Sequence, residues 1–220
     1  MPFDAHIHCK NTEKGGFLIG LEGEPFFKNT LSNAEVMALH APAKHYWGFY
    51  YISKDEISKK ISSLYYLKYH PRREKYTPQE VMASIALNEP KCVIIDTLNE
   101  PYWTAYDYWA IARAYPHIPM VFAHAGGYLI NDFIKICHFQ KNVWIDFALT
   151  HTVLGHYADA RIGLTYINEA IRYSLHGAFK DRVLMSSDYP FFDQQEVFAF
   201  YEGYIPMLDE NFLQLEDKIK

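Results

Sequence analysis

The sequence predicts an α/β fold: a lean (β/α)8 TIM barrel in which residues 1–220 form a single domain. Two observations carry this. Short apolar, β-branched or aromatic runs recur along the chain, each ending in polar residues, and helical patterns fill most of the gaps between them. Four of the runs also carry titratable residues at their carboxyl ends, the end of a barrel where active sites are built. At 220 residues the chain lies near the bottom of the usual range for this architecture. A doubly wound open sheet is the alternative.

The strand segments are 3–8 (FDAHIH), 16–23 (GFLIGLEG), 45–53 (HYWGFYYIS), 64–71 (LYYLKYHP), 91–98 (KCVIIDTL), 119–126 (PMVFAHAG), 142–149 (NVWIDFAL) and 182–190 (RVLMSSDYP). Runs this short and this apolar suit parallel strands buried on both faces. A helix over 77–88 opens with Thr77 as N-cap, Pro78 at its first position and Glu80 three residues after the cap. In 105–115, Tyr108, Ile111, Ala112 and Tyr115 share one stripe. Helical patterns follow over 128–139 and 159–176, the latter with Leu164, Ile167, Ile171 and Leu175 at core spacing, and 193–218 reads as one or two closing helices. The first third is the least marked. Residues 9–44 show no clear helix, and the second strand rests on composition alone.

Composition excludes several classes. Half of the residues are apolar, 21% are charged, and the formal net charge is −5. A nucleic-acid binder would carry a basic patch, and none is visible. No apolar stretch approaches the ~18 residues of a membrane span, and the amino terminus lacks an apolar signal core. Cys9, Cys92 and Cys137 are odd in number and scattered, which argues against a disulfide framework and for the cytoplasm.

The chemistry concentrates at strand ends. His6 and His8 are two apart, so on a strand both rings point the same way and reach one ion, while Phe3, Ala5 and Ile7 face the other side. His-x-His alone is a weak signal, more readily read as a surface or buried structural pair. Asp188 follows an apolar strand in VLMSSDYP, where a carboxylate serves as metal ligand and general base, or simply as a cap. His124 ends VFAH and precedes Ala125-Gly126-Gly127, whose glycines suit a tight exit or the close approach of a ligand. The bland reading of His124 is a hydrogen-bonded structural residue.

Together these blocks are more specific than their parts. DAHIH, KYHP, VFAHAGG and SSDYP, in this order from Asp4 to Pro190, resemble the amidohydrolase-related branch of the metal-dependent amidohydrolase superfamily. The resemblance implies a distorted (β/α)8 barrel holding one divalent metal ion at its mouth. It also implies hydrolysis of small polar substrates or, in some relatives, non-oxidative decarboxylation or hydration. Carried over by motif, His6 and His8 are first-strand ligands. Asp188 is the eighth-strand ligand and proton-transfer carboxylate, and His124 lies beside the metal as a catalytic residue. The family's usual fifth-strand histidine ligand is absent: the strand reads VIIDT, so Asp96 stands in its place. The expected metal set is therefore His6, His8, Asp96 and Asp188, harder and more anionic than the family's usual one. Zinc is the first candidate, then manganese or iron. The other reading of Asp96 is a helix cap or a partner of Lys68.

Lys68, His70 and Arg72 are assigned to substrate binding. Lys68 and His70 share a face at the end of the fourth strand, and Arg72, like Arg73, offers a bidentate grip on a carboxylate. In binuclear relatives a lysine at this place carries a bridging carbamate, a lesser reading here; for the arginines it is simple solvation. His151 and His156 are weaker candidates for the mouth. Cys9, Tyr102, Trp103, Tyr108 and Trp109 read as packing. The expected function is a metal-dependent hydrolase that activates water against the carbonyl of an amide, lactone or ester. The alternatives are a metal-dependent decarboxylase and a barrel that binds without catalysis. The expected partner is a small-molecule substrate, with no nucleic acid and no membrane; a homo-oligomer is left open.

Overall fold

Every one of the eight apolar runs contributes a strand: β1 Asp4–Ile7, β2 Gly16–Ile19, β3 Tyr46–Tyr51, β4 Tyr66–Tyr69, β5 Cys92–Asp96, β6 Met120–Ala123, β7 Val143–Asp146 and β8 Val183–Leu184. The computed structural model describes residues 2–9, 14–21, 29–61, 65–98, 103–148 and 162–220. The strands form one sheet in the order β1-β2-β3-β4-β5-β6-β7-β8, with each neighbouring pair parallel. Sequential order with parallel pairing is the topology of a barrel rather than of a doubly wound sheet, whose strand order reverses.

Closure falls between β8 and β1. A parallel bridge joins Ile7 to Tyr189. Around it, Ala5 N–H donates to Met185 O, Asp188 N–H to His6 O and His8 N–H to Tyr189 O, each at 2.8 Å. The segment after β8 therefore completes the cylinder although β8 itself is only two residues long.

The helices are α1 Asn33–Leu39, α2 Pro71–Glu74, α3 Pro78–Asn88, α4 Ala105–Ala114, α5 Ile130–Phe139, α6 Ile162–His176, α7 Gln194–Phe200 and α8 Ile205–Ile219. The start signal of α3 acts as the sequence implies: Thr77 accepts from Glu80 N–H, the Glu80 carboxylate accepts from Thr77 N–H, and Pro78 opens the helix. Sequence reading missed α1, between β2 and β3. Its marker is a capping box, Ser32 with Glu35, before a seven-residue helix whose only buried apolar residue is Val36. One turnover of apolar spacing is too little to register as periodicity.

Two apolar layers hold the barrel. Between strands and helices, Leu67, Val93, Ile95 and Phe122 pack against Val81, Ile85, Ile111 and Phe133. The second layer joins Phe17, Trp47, Phe49, Ile94, Val121 and Trp144 to Phe212, Leu215 and Ile219 of α8, which covers the end of the barrel opposite the mouth. Alternation then places Lys68, Asp96 and Asp146 two residues beyond Tyr66, Ile94 and Trp144 on the same inner faces, at the carboxyl ends of the strands. Trp103, Tyr108 and Trp109 belong to the helix layer. Cys9, Cys92 and Cys137 are free thiols. Ile171 and Leu175 of α6 are buried, whereas the side chains of Leu164 and Ile167 lie outside the described residues. No described helix is long and apolar enough to cross a membrane.

The exit from β6 requires glycine. Gly126 has φ 79°, and a Cβ there would meet Phe133 Cδ2 at 2.0 Å. Gly126→Ala combines backbone strain with overpacking and should destabilise the protein by roughly 2–4 kcal/mol, measured by urea unfolding. A loss below about 0.5 kcal/mol would show that α5 shifts freely against β6.

Candidate metal centre at the barrel mouth

His6 and His8 reach the mouth on β1, and the segment after β8 turns Asp188 towards them with a left-handed backbone, φ 61°. His124 (φ 68°) and Ala125 (φ 45°) have the same conformation after β6. Non-glycine residues rarely occupy this region, and such strain concentrates at functional sites. A buried carboxylate holds the first turn in place. Asp4 accepts from Ser187 N–H (3.0 Å), Ser187 Oγ–H (2.6 Å), Gln194 Nε2–H (2.8 Å) and His6 N–H (3.1 Å). Burial nonetheless pushes its carboxyl up to about 6, against the pull of those bonds.

The ligand atoms of His6, His8 and Asp188 lie within 4.8 Å of one another, and all three residues are buried. Asp188 Oδ1 is 3.2 Å from His8 Nε2 and 3.5 Å from His6 Nε2. The opposite ring nitrogens are engaged: His8 Nδ1 with Ile19 O at 3.0 Å and His6 Nδ1 with Asp146 Oδ2 at 3.4 Å. Carbonyl and carboxylate oxygens only accept, so these contacts favour a proton on each Nδ1, which in a neutral ring leaves Nε2 as an acceptor. Burial and the charge of Lys68 push His6 down to about 4, so its ring is neutral near pH 7. Although burial opposes ionisation, the surrounding imidazoles hold the Asp188 carboxyl well below the usual carboxylate range. One carboxylate oxygen and two imidazole nitrogens thus converge. That donor set, two imidazole nitrogens and a carboxylate oxygen, fits a divalent ion of the zinc type.

His6, His124 and Asp146 form a second cluster of the same compactness. It is internally satisfied, because Asp146 accepts from His6 Nδ1–H, His124 N–H and Ala148 N–H. Hydrogen bonds already do there what a cation would do in the first cluster.

Asp96 is in the mouth and fully buried, but it is not among the atoms that converge with His6 and His8. Its Oδ2 lies 3.0 Å from His124 Nε2 and 3.4 Å from His70 Nε2, and Oδ1 lies 3.7 Å from Arg72 Nε. Despite burial, these neighbours hold Asp96 well below the ordinary value, and Asp96, against the pull of burial, raises His124 above its own. His124 Nδ1 meets Ala148 O at 2.8 Å, so its Nε2 is left facing the Asp96 carboxylate. Lys68 Nζ is buried with no hydrogen-bond partner among the described residues, and burial pushes its pKa down against the pull of Asp96, Asp146 and Asp188. His70 Nδ1 and Arg72 Nε are likewise buried without a hydrogen bond. Arg73 lies over the Tyr51 ring and beside Glu74, turned towards structure.

Sequence reading missed Asp146 and Asp4. VWID ends as VIID does, and that likeness was the available signal for Asp146; Asp4 stood inside DAHIH, masked by its histidines. His151, His156 and Tyr102 lie outside the described residues.

The family profile of the amidohydrolases matches residues 81–211, more than half of the chain, and the protein belongs to that family. The match takes in Asp96, His124, Asp146 and Asp188 but not the β1 histidines. Comparison with curated proteins gives no match. Among solved structures, an uncharacterised TIM-barrel protein from Bordetella bronchiseptica is similar over 94% of this chain and 78% of its own, with 13% identity and a TM-score of 0.66. An amidohydrolase from Burkholderia multivorans covers 100% of this chain and 98% of its own at 10% identity, TM-score 0.62. A zinc-bound structure of a Burkholderia multivorans amidohydrolase aligns over 86% and 75% at 12% identity, TM-score 0.54. The 5-carboxyvanillate decarboxylase of Sphingomonas paucimobilis aligns over 94% and 78% at 12% identity, TM-score 0.54. At these identities the likeness establishes the TIM-barrel fold; family membership supports enzymatic activity.

The site carries a pH signature. Burial pushes His70 from its ordinary 6.5 down to about 3. Between those values the unfolded chain binds a proton that the folded chain does not, so stability present above 6.5 is lost as pH falls. Urea unfolding at pH 7.5 and pH 5 should show a larger loss for wild type than for His70→Asn. Equal losses would place the His70 charge in the folded state.

Proposed function

We propose that the protein is a metal-dependent hydrolase acting on the carbonyl of an amide, lactone or ester in a small polar substrate. The observation that carries this reading is the convergence of His6 Nε2, His8 Nε2 and Asp188 Oδ1, acceptors facing one another in a buried pocket. These three residues would hold one divalent ion, zinc first, with manganese or iron as the other candidates. When bound, the ion supplies Lewis-acid chemistry, polarising a carbonyl and making water acidic near neutral pH.

The chain's own groups supply the rest. Asp188, ionised, takes the proton of the attacking water as general base. His124 holds a proton at Nε2 against Asp96, positioned to meet negative charge on the carbonyl oxygen or the leaving group. In this reading Asp96 keeps His124 charged instead of serving as a fourth ligand. Lys68 Nζ and Arg72 Nε, buried nitrogens that make no hydrogen bond among the described residues, and the adjacent His70 suit an acidic group on the substrate. The same two cations favour a second reading, metal-dependent decarboxylation, in which that acidic group is the one lost.

Protein purified without chelator should contain close to one equivalent of metal by elemental analysis, and His6→Ala with His8→Ala should remove it. Retained metal in the double variant would sink the assignment.

With metal saturating, Asp188→Asn should lower kcat by about 10²–10⁴ with a small change in KM. A panel of lactones, N-acyl compounds, esters and aromatic carboxylates separates hydrolysis from decarboxylation by product. A variant as active as wild type on the best substrate would remove Asp188 from proton transfer.

A further inference from the structure

We propose that Asp146 is a positioning residue that fixes the tautomer of His6 and so keeps its Nε2 free to act as a ligand; the inference rests on the metal-centre reading above. Asp146 ends β7 and is fully buried. Its Oδ1 accepts the backbone N–H groups of His124 and Ala148, both at 3.0 Å. Those two bonds orient the carboxylate and leave Oδ2 opposite His6 Nδ1 at 3.4 Å. A neutral imidazole has a single N–H, so a proton held on Nδ1 leaves Nε2 bare.

A second carboxylate competes for that proton. Asp188 Oδ1 lies 3.5 Å from His6 Nε2, but it also faces His8 Nε2 at 3.2 Å. A ring with its proton on Nε2 would be tied to Asp188 and unable to bind an ion through that atom. Asp146 is the group that decides against this state. The two β1 histidines are thus set by different acceptors: His8 by a backbone carbonyl, Ile19 O, and His6 by a side chain. Asp146 acts on His124 as well, since the amide it binds on Ala148 belongs to the residue whose carbonyl accepts His124 Nδ1–H. Imidazole ligands are commonly oriented in this way, by an acceptor on the nitrogen that does not bind.

Asp146→Asn tests the assignment with little change of shape. The two backbone amides need an acceptor, so they retain the Asn oxygen and turn its NH2 group towards His6. Donor would then meet donor, and the ring must move its proton to Nε2. Ring ¹⁵N NMR of the metal-free protein, with the His6 signals identified by their loss in His6→Gln, should report Nδ1–H in wild type and Nε2–H in Asp146→Asn. Competition with a chelator should show zinc bound about 10–100-fold more weakly by the variant, while thermal unfolding checks that both are folded. An Nε2–H tautomer in the wild type would overturn the proposal, and that measurement stands even if the variant does not fold. Equal zinc affinity in a wild type that binds zinc and a folded variant would also overturn it. Failure of the wild type to bind zinc would reject the metal-centre reading instead, with the tautomer still measured.

Discussion

Eight parallel strands make a barrel only if the last one finds the first, and here the last strand is two residues long. The Asp4 carboxylate supplies what the short ladder cannot. It binds the backbone and hydroxyl of Ser187 and the amide of Gln194 from one side of the seam, and His6 N–H from the other. A carboxylate so deeply buried is expensive to ionise, and its donors offset part of that cost. The position of the histidines relative to Asp188 follows from this junction, because Asp188 N–H bonds to His6 O and His8 N–H to Tyr189 O across it. Closure of the fold and assembly of the site are the same event.

Charge in the mouth divides into two halves. Towards β1 and β8, imidazole nitrogens of His6 and His8 converge with the Asp188 carboxylate, a donor set of the kind that holds a divalent ion. Towards β4, β5 and β6, Asp96 is surrounded by His124, His70 and Arg72, so that half is already compensated. Lys68 stands between them, its charge felt by Asp96, Asp146, Asp188 and His6. The proposed ion site and the His124–Asp96 pair are thus separate parts of one mouth. Asp146 connects the two through His6 on one oxygen and the His124 backbone on the other.

The departure at Asp96 acquires a physical meaning from this division. A histidine there would face the His124 ring and the guanidinium of Arg72 with no negative charge to offer them. The aspartate faces both and raises the His124 pKa, which a neutral ring could not do.

Much of the architecture was written in the sequence. All eight strands were legible because each is an apolar run bounded by polar residues, and α3 because Thr77, Pro78 and Glu80 form a local start signal. His6, His8, His124, Asp96 and Asp188 were legible as strand-end residues, since alternation along a strand and the common direction of parallel strands send them to one mouth. Helix α1 was not, because seven residues with one buried apolar side chain carry too little periodicity. Nor could the sequence decide which carboxylate meets which imidazole. Asp96, Asp146 and Asp188 are equivalent as letters at strand ends; only the register of the strands around the barrel, and the left-handed turns at His124 and Asp188, set Asp188 against His6 and His8, Asp96 against His124, and Asp146 behind His6. Those pairings span up to 182 residues of chain, and distances of that kind are fixed by closure of the barrel rather than by any local preference.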